Sequence, residues 1–499
     1  MTALLAAVQA MRAPYFDYHA LAPEMILTAV IVVAIMVDSF VDETRKGLVT
    51  QLCGVGCIVA LVPVVTLAIS GSDRQMFDGA YVVDNMALAF KVLFIVAAYV
   101  VLLMSSREIA EGDYDEGEFG ALLVSAVLGM TVMASARDLL SIFVALELLS
   151  LPGYMLAGWR KRDLRSNEAA LKYYLLGVLS SGVMLYGMSL IFGITGQTNL
   201  YRISDALAQP GNDHALVAIG IFFIVVGFAF KVSAVPFHFW APDTYEGAPL
   251  PVTAFLSVAS KAAGFVALIQ LIFIGFFGQR EIWEPLFFGL AAATMIVGNV
   301  IAIRQTNAVR MLAYSSIAQA GYILVPFAIA AEGKAASSSL SAIVAYLLIY
   351  TAMNLGAFAT VMAVARRTNS AEISSFAGLF SYAPGLTVLM TVFLFSLAGI
   401  PPFGGWFAKF YIFRAVIDAH TPAAIVLGVI VAVNSVIALY YYSGIARQMW
   451  MTQATEGADR SPIAIPAPLS VALGLTVVIT VATGIYPQVF AHLSDFPSF

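Results

Sequence analysis

The sequence predicts an all-α polytopic membrane protein with about fourteen transmembrane helices. Three observations predict it. The 499 residues are 61% hydrophobic and only 11% charged, whereas soluble domains carry about a quarter charged residues. The apolar residues gather in stretches near the ~20 that cross a bilayer as a helix. The polar connections between stretches are short, the longest about 20 residues. That excludes a nucleotide-binding or redox domain inserted between spans.

In chain order the fourteen stretches lie near residues 20–38, 48–69, 85–104, 117–135, 138–158, 168–194, 214–235, 252–277, 282–302, 308–331, 340–364, 385–417, 423–446 and 467–490. No basic segment precedes the first, so no cleaved signal peptide is expected and the first span should direct insertion. Cys53 and Cys57 are spaced i, i+4 in the second span and read as small core residues. The sequence holds no metal-ligand cluster and no cofactor motif.

Basic residues between the spans set the expected orientation. The loops after odd-numbered spans hold thirteen, among them Arg45, Lys46, Arg107, Arg160, Lys161, Arg304, Arg310, Arg366 and Arg460. The opposite side holds six: Arg12, Arg74, Arg137, Arg202, Arg280 and Lys334. The positive-inside rule then puts both termini outside the cytoplasm.

Several charges remain within the spans. Lys91 lies about two turns from a helix end and is expected to snorkel to the interface. Arg414 precedes Asp418 by four residues, a local pair. Lys172 follows Glu168 by four, which fits either a surface pair or an internal proton site. Glu147, Lys231, Lys261 and Lys409 differ from these. None has an opposite charge at i±3 or i±4, and each is several residues from a predicted end. A central charge costs ~2.5–3.5 kcal/mol, so four cost on the order of 10 kcal/mol unless they pair or face water within the bundle. They read either as static buried pairs or as groups that exchange protons. His238, beside a helix break, is a possible relay because its side chain ordinarily titrates near neutrality. His19, His214, His420 and His492 read as interfacial.

Proline marks two breaks. GFAFKVSAVPFHFW carries Pro236 just after Lys231, and SLAGIPPFGGWFAKF carries Pro401 and Pro402 just before Lys409. Proline in a helix frees a carbonyl, and within a bilayer protein or water must satisfy it. Both breaks contain Pro-Phe-x-x-Trp. Interrupted helices in corresponding places of two halves indicate an inverted-repeat transporter. Spans 4–8 and 9–13 then form two inverted five-helix repeats. The expected units are residues 1–116, 117–278, 279–450 and 451–499.

The segments ASARDLLSIFVALELLSLPGYMLAGW, EAALKYYLLGVLSSG, GFAFKVSAVPFHFWAPDTYEGAP, RMLAYSSIAQAGY and SLAGIPPFGGWFAKF resemble the antiporter-like, proton-translocating membrane subunits of respiratory complex I. The likeness covers roughly residues 117–450. It implies that Glu147, Lys231, Lys261 and Lys409 carry proton translocation, with Glu147 paired to Lys231, and that Lys172 and His238 lie on the same polar axis. It implies that the chain itself holds no cofactor. NADH, FMN, iron–sulfur clusters and quinone would be bound by other subunits. It implies as partners the antiporter-like subunit M, small membrane subunits including K, and lipids, but no nucleic acid. The expected location is a bacterial inner (cytoplasmic) membrane. The multisubunit Mrp-type cation/proton antiporters share this fold and many of these motifs, and a subunit of that class is the alternative. A membrane scaffold with purely structural charges is a third reading.

Overall fold

Helices form at every predicted span. The computed structural model describes residues 16–42, 46–71, 73–108, 117–330, 334–454 and 461–488. Arg12, Arg45, Arg460 and His492 therefore lie outside the described residues. The first six spans are α1 (Ala22–Phe40), α2 (Gly47–Ser70), α3 (Asn85–Glu108), α4 (Gly117–Ser135), α5 (Leu139–Ala157) and α6 (Leu164–Thr195). A short helix, α7 (Leu200–Leu207), precedes the seventh span. That span divides into α8 (His214–Lys231) and α9 (Trp240–Gly247). Next come α10 (Leu250–Gly275), α11 (Arg280–Ala302), α12 (Ala308–Leu324) and α13 (Lys334–Thr368). The twelfth span is again divided, into α14 (Pro384–Ala398) and α15 (Gly404–Ala419). The last two are α16 (Pro422–Met451) and α17 (Ala467–Ile485).

Sequence signals explain many of the ends. Asp138, Asp163, Asp213 and Asn307 cap α5, α6, α8 and α12, each side chain accepting from backbone N–H groups of the first turn. Such caps satisfy donors that the helix cannot. Gly71 and Gly196 close α2 and α6 in the left-handed conformation. Two elements are absent from the sequence reading, α7 and a short hairpin. Between α2 and α3, β1 (Arg74–Met76) pairs antiparallel with β2 (Tyr81–Val83), Arg74 opposite Val83. Strands this short carry too little periodicity to be read.

The centre of the bundle is α10, buried along its whole length, with α12 and α13 nearly so. Helices apolar all round belong in such positions. These same helices carry the polar groups described below, so those groups are shielded from lipid.

Two expectations about charges are corrected or sharpened. Lys91 does not snorkel. It is fully buried, its ammonium 2.9 Å from Glu24 of α1 and donating to Tyr81 OH at 3.1 Å. Glu24 stands in the first turn of α1, so no local spacing signals a pair between α1 and α3. Arg414 does approach Asp418, at 3.9 Å, but Lys334 from α13 is nearer, at 2.8 Å. Cys53 and Cys57 are buried free thiols, as expected.

Candidate functional site: a row of buried lysines

The first break places Lys231. It is the last helical residue of α8; Ser233 then takes φ 59, and the Val235–Pro236 bond is cis. The backbone groups released there find side chains. Trp240 Nε1 donates to the Phe230 carbonyl at 3.0 Å, and the Val235 N–H donates to Thr294 Oγ1 at 2.9 Å. His238 lies within the break, buried, with its Nδ1 lacking a hydrogen-bond partner.

Lys231 is only 4% exposed. Its ammonium donates to Ser150 Oγ at 2.9 Å and to Tyr173 OH at 3.2 Å. A direct or one-water contact between Glu147 and Lys231 is expected from the sequence; of these, no direct ion pair forms. Ser150, one turn further along α5, takes the place next to the ammonium. Glu147 still lies near enough to act on Lys231 electrostatically. It is half-buried, at the border of the face formed by exposed Leu140, Val144, Leu151 and Met155. Its Oε1 is buried with no hydrogen-bond partner.

Lys231 leads to Lys261 by packing. A Cβ on Gly264, three residues after Lys261, would stand 3.1 Å from Lys231 Cγ. The glycine thus lets the Lys231 stem lie against α10. Lys261 follows a π-helical turn, Leu256–Ser260, a feature frequent at functional sites. It donates to the Ser316 carbonyl at 2.8 Å and to Ser316 Oγ at 2.6 Å.

Helix α12 carries the row onward. Ser316, Gln319 and Tyr322 recur at i, i+3 and i+6, so they share a face. Gln319 donates to the Leu397 carbonyl at 3.1 Å and to Tyr442 OH at 3.3 Å, and it accepts from Tyr346 OH. The Tyr322 ring faces the Lys409 ammonium, 4.8 Å from the ring centroid. Lys409 closes the second break by donating to the Ala398 carbonyl at 2.7 Å. Gly405 N–H donates to Ser396 Oγ at 3.0 Å, and Pro401–Pro402 is cis.

Among the described residues, no acidic group lies within ion-pair distance of Lys231, Lys261 or Lys409. Their partners are hydroxyls, carbonyls and aromatic rings, so each ammonium is held without being neutralised. Serine, tyrosine and glutamine can accept or donate, and such groups relay protons without becoming charged.

Lys172 lies elsewhere. It pairs with Glu168 at 2.6 Å and with Asp243 at 2.8 Å, its side chain 42% exposed. Arg310 joins them, 3.0 Å from Asp243 and 2.8 Å from Glu246. Lys172 and Arg310 both donate hydrogen bonds to the Asp243 carboxylate. Of the two readings of Lys172, the surface pair is the one formed. Ser150, Tyr173, Ser316, Gln319, Tyr322 and Tyr346 were not singled out from the sequence. The 316/319/322 spacing within an apolar span was the available signal.

With this geometry in hand, the chain can be compared with known proteins. Residues 136–435 match the family described as NADH:quinone oxidoreductase/Mrp antiporter, TM. The NADH-quinone oxidoreductase subunit N 1 of Koribacter versatilis is 40% identical over 96% of this chain and 95% of its own length. A chain of respiratory complex I from Thermus thermophilus, solved with bound aureothin, is 29% identical, with a TM-score of 0.77 over 95% of this chain and all of its own. A chain of the Mrp complex from Dietzia sp. superposes with a TM-score of 0.84 over 96% of this chain and 97% of its own. At 21% identity that likeness is one of fold.

Proposed function

The chain belongs to the transmembrane NADH:quinone oxidoreductase/Mrp antiporter family, and from that premise we propose that it moves protons along the row Lys231–Lys261–Lys409. It does so as an antiporter-like subunit of the membrane arm of a proton-pumping NADH:quinone oxidoreductase. Electrons pass from NADH to quinone on other subunits, which hold the FMN and iron–sulfur clusters. The observation that carries this reading is the row of three buried lysines held by hydroxyls and carbonyls, with Ser316, Gln319 and Tyr322 on one face of α12 between Lys261 and Lys409.

The chain's residues divide the work as follows. Water exclusion favours the neutral form of an ammonium, and a nearby carboxylate favours the charged one. Glu147, acting through space, raises the hold of Lys231 on its proton when it approaches and releases it when it withdraws. Lys231 passes the proton toward Lys261, Ser316 and Gln319 bridge to Tyr322, and Lys409 delivers it to the outer side. His238 and its unpaired ring nitrogen stand at the break as a relay.

The same reading divides the chain into residues 1–116, two inverted repeats at 117–278 and 279–450, and 451–499. It places the chain in a bacterial inner membrane with both termini on the periplasmic side, beside subunit M and small subunits including K. The test is Lys261→Ala in the intact complex. Assembly should persist while NADH-driven proton uptake into inverted vesicles falls together with quinone reduction. Normal pumping would remove Lys261 from the path. The second reading, an Mrp-type antiporter subunit, draws on the fold likeness and on the family description, which names Mrp antiporters as well. Genes for iron–sulfur and quinone-site subunits beside this one would exclude it.

A further inference from the structure

Beyond Tyr322 the polar network turns away from the lysine row. Asn299 of α11 is fully buried. Its Nδ2 donates to Tyr322 OH at 3.3 Å and to Asn434 Oδ1 at 3.1 Å, while its Oδ1 accepts from Tyr441 OH at 2.9 Å. The amide is thus used on both sides, and it ties α11, α12 and α16 at one depth. A polar cluster this complete, placed among apolar helices, costs desolvation that simple packing avoids.

Two further observations give the cluster a direction. Asn434 is the thirteenth residue of α16, and Lys261 is the twelfth of α10. These are the last helices of the two proposed five-span units, and each carries a buried polar residue near its middle. In addition, Tyr441 lines a crevice of about 590 Å³ between the end of α11 and α16. Gln305, Arg447 and Gln448 line it as well. Gln305 lies in the loop between α11 and α12 and Arg447 in the last two turns of α16, both at the edge that the basic-residue count assigns to the cytoplasm. The crevice runs from that edge to the cluster, and the cluster runs to Lys409 through Tyr322.

We propose that Tyr441, Asn299 and Asn434 form a hydrated side branch through which Lys409 exchanges protons with the cytoplasmic side. The proposal rests on the reading of Lys409 as a proton carrier. The proton that reaches a neutral Lys409 amine is released by Tyr322. Tyr322 is restored from crevice water that enters past Tyr441, while Asn299 holds the two phenols and keeps its own amide protons. Each group on the branch ends with the proton count it began with. The charge gained by Lys409 is matched by hydroxide left to the cytoplasmic buffer. Asn434 positions Asn299 so that its two amide atoms meet the two phenols. The second unit then has its own aqueous connection to the cytoplasm, separate from Lys231 and Lys261.

The test uses the intact complex in vesicles with the cytoplasmic face outward, driven by NADH. Tyr441→Phe keeps the ring and removes the hydroxyl. It should lower proton uptake severalfold, with the loss steepest at high cytoplasmic pH, where protons are scarce. A second variant guards against a folding effect. Gly444 lines the crevice and has open space where a Cβ would stand, while Cys53 and Cys57 are buried. Gly444→Cys should pump normally until a bulky, membrane-impermeant thiol reagent is added from the cytoplasmic side, and severalfold more slowly afterwards. Wild-type uptake in both Tyr441→Phe and labelled Gly444→Cys overturns the branch. Failure of Gly444→Cys to react in the assembled complex also overturns it, because the crevice then has no aqueous mouth. Lys409→Ala serves as the comparison. If that variant pumps normally, it is the proton-carrier reading of Lys409 that fails.

Discussion

Lys409 caps the half-helix that precedes it: its Nζ lies 2.7 Å from the carbonyl oxygen of Ala398, the last residue of α14. A helix C-terminus carries partial negative charge and favours a cation. The break therefore supplies part of the stabilisation that water would otherwise give the ammonium.

Gly399 makes this contact possible. It takes φ 90, and a Cβ there would stand 2.7 Å from Lys409 Cδ. Gly399→Ala should cost about 1–2 kcal/mol in backbone strain and push the lysine off its carbonyl. We expect assembled complex with pumping reduced severalfold, measured as proton uptake per assembled complex. Unchanged pumping would show that Lys409 does not need this seat.

Lys231→Ala should leave the complex assembled but lower proton uptake and NADH-driven quinone reduction together, by on the order of a hundredfold, as for other positioned proton-transfer groups. Lys231→Arg should fail too, since guanidinium does not release its proton. An arginine variant that pumps normally would mean that only fixed charge is required.

Glu147 acts on Lys231 without touching it, which separates two effects. Glu147→Gln should impair turnover by removing the field. Glu147→Asp should retain part of the activity, because field falls off gradually with distance while contact does not. Ser150→Ala removes a direct hydrogen bond to the ammonium, worth about 1.5–3 kcal/mol, and should impair turnover even with Glu147 intact. Turnover in the three variants, measured side by side, ranks field against contact. Full activity in Ser150→Ala would leave the field of Glu147 as the sole control.

The Glu24–Lys91 pair is expected to act on assembly. Removing one partner strands a buried charge, at a cost of about 3–5 kcal/mol. Lys91→Met should lower the amount of complex in the membrane, and Glu24→Gln with Lys91→Met should restore it, since a neutral pair leaves no stranded charge. Native-gel quantification of assembled complex checks this. Failure of the double variant to recover would mean that the charges themselves are needed.

The spans, both helix breaks and the three central lysines were legible because each is a local signal: a run of apolar residues, a proline, or a charge without a near neighbour. What escaped depended on which helices meet. Lys91 read as snorkelling because its partner, Glu24, is 67 residues away on another helix. Glu147 reads as the partner of Lys231, by direct contact or through one water, because charge complementarity is visible in a sequence, whereas the hydroxyl of Ser150 beside the ammonium is not. Ser316, Gln319 and Tyr322 are neutral, so a search for charges passed over them, although their spacing put them on one face. Asn299, Asn434 and Tyr441 come together from two helices and have no mutual spacing to read.

The position of the lysines along their spans has an electrical meaning. Lys261 is twelfth of the 26 residues of α10, and Lys231 and Lys409 flank breaks within their spans. On the proposed path the row therefore joins residues near the middles of their spans and runs along the membrane plane. A proton hopping along it does almost no work against the membrane potential, which amounts to ~2.3 kcal/mol per charge per 100 mV across the full thickness. That work falls on the two vertical legs, from the cytoplasm to the row and from the row to the outer side. A change of membrane voltage should therefore alter the rates of loading and release and leave transfer between the lysines nearly untouched.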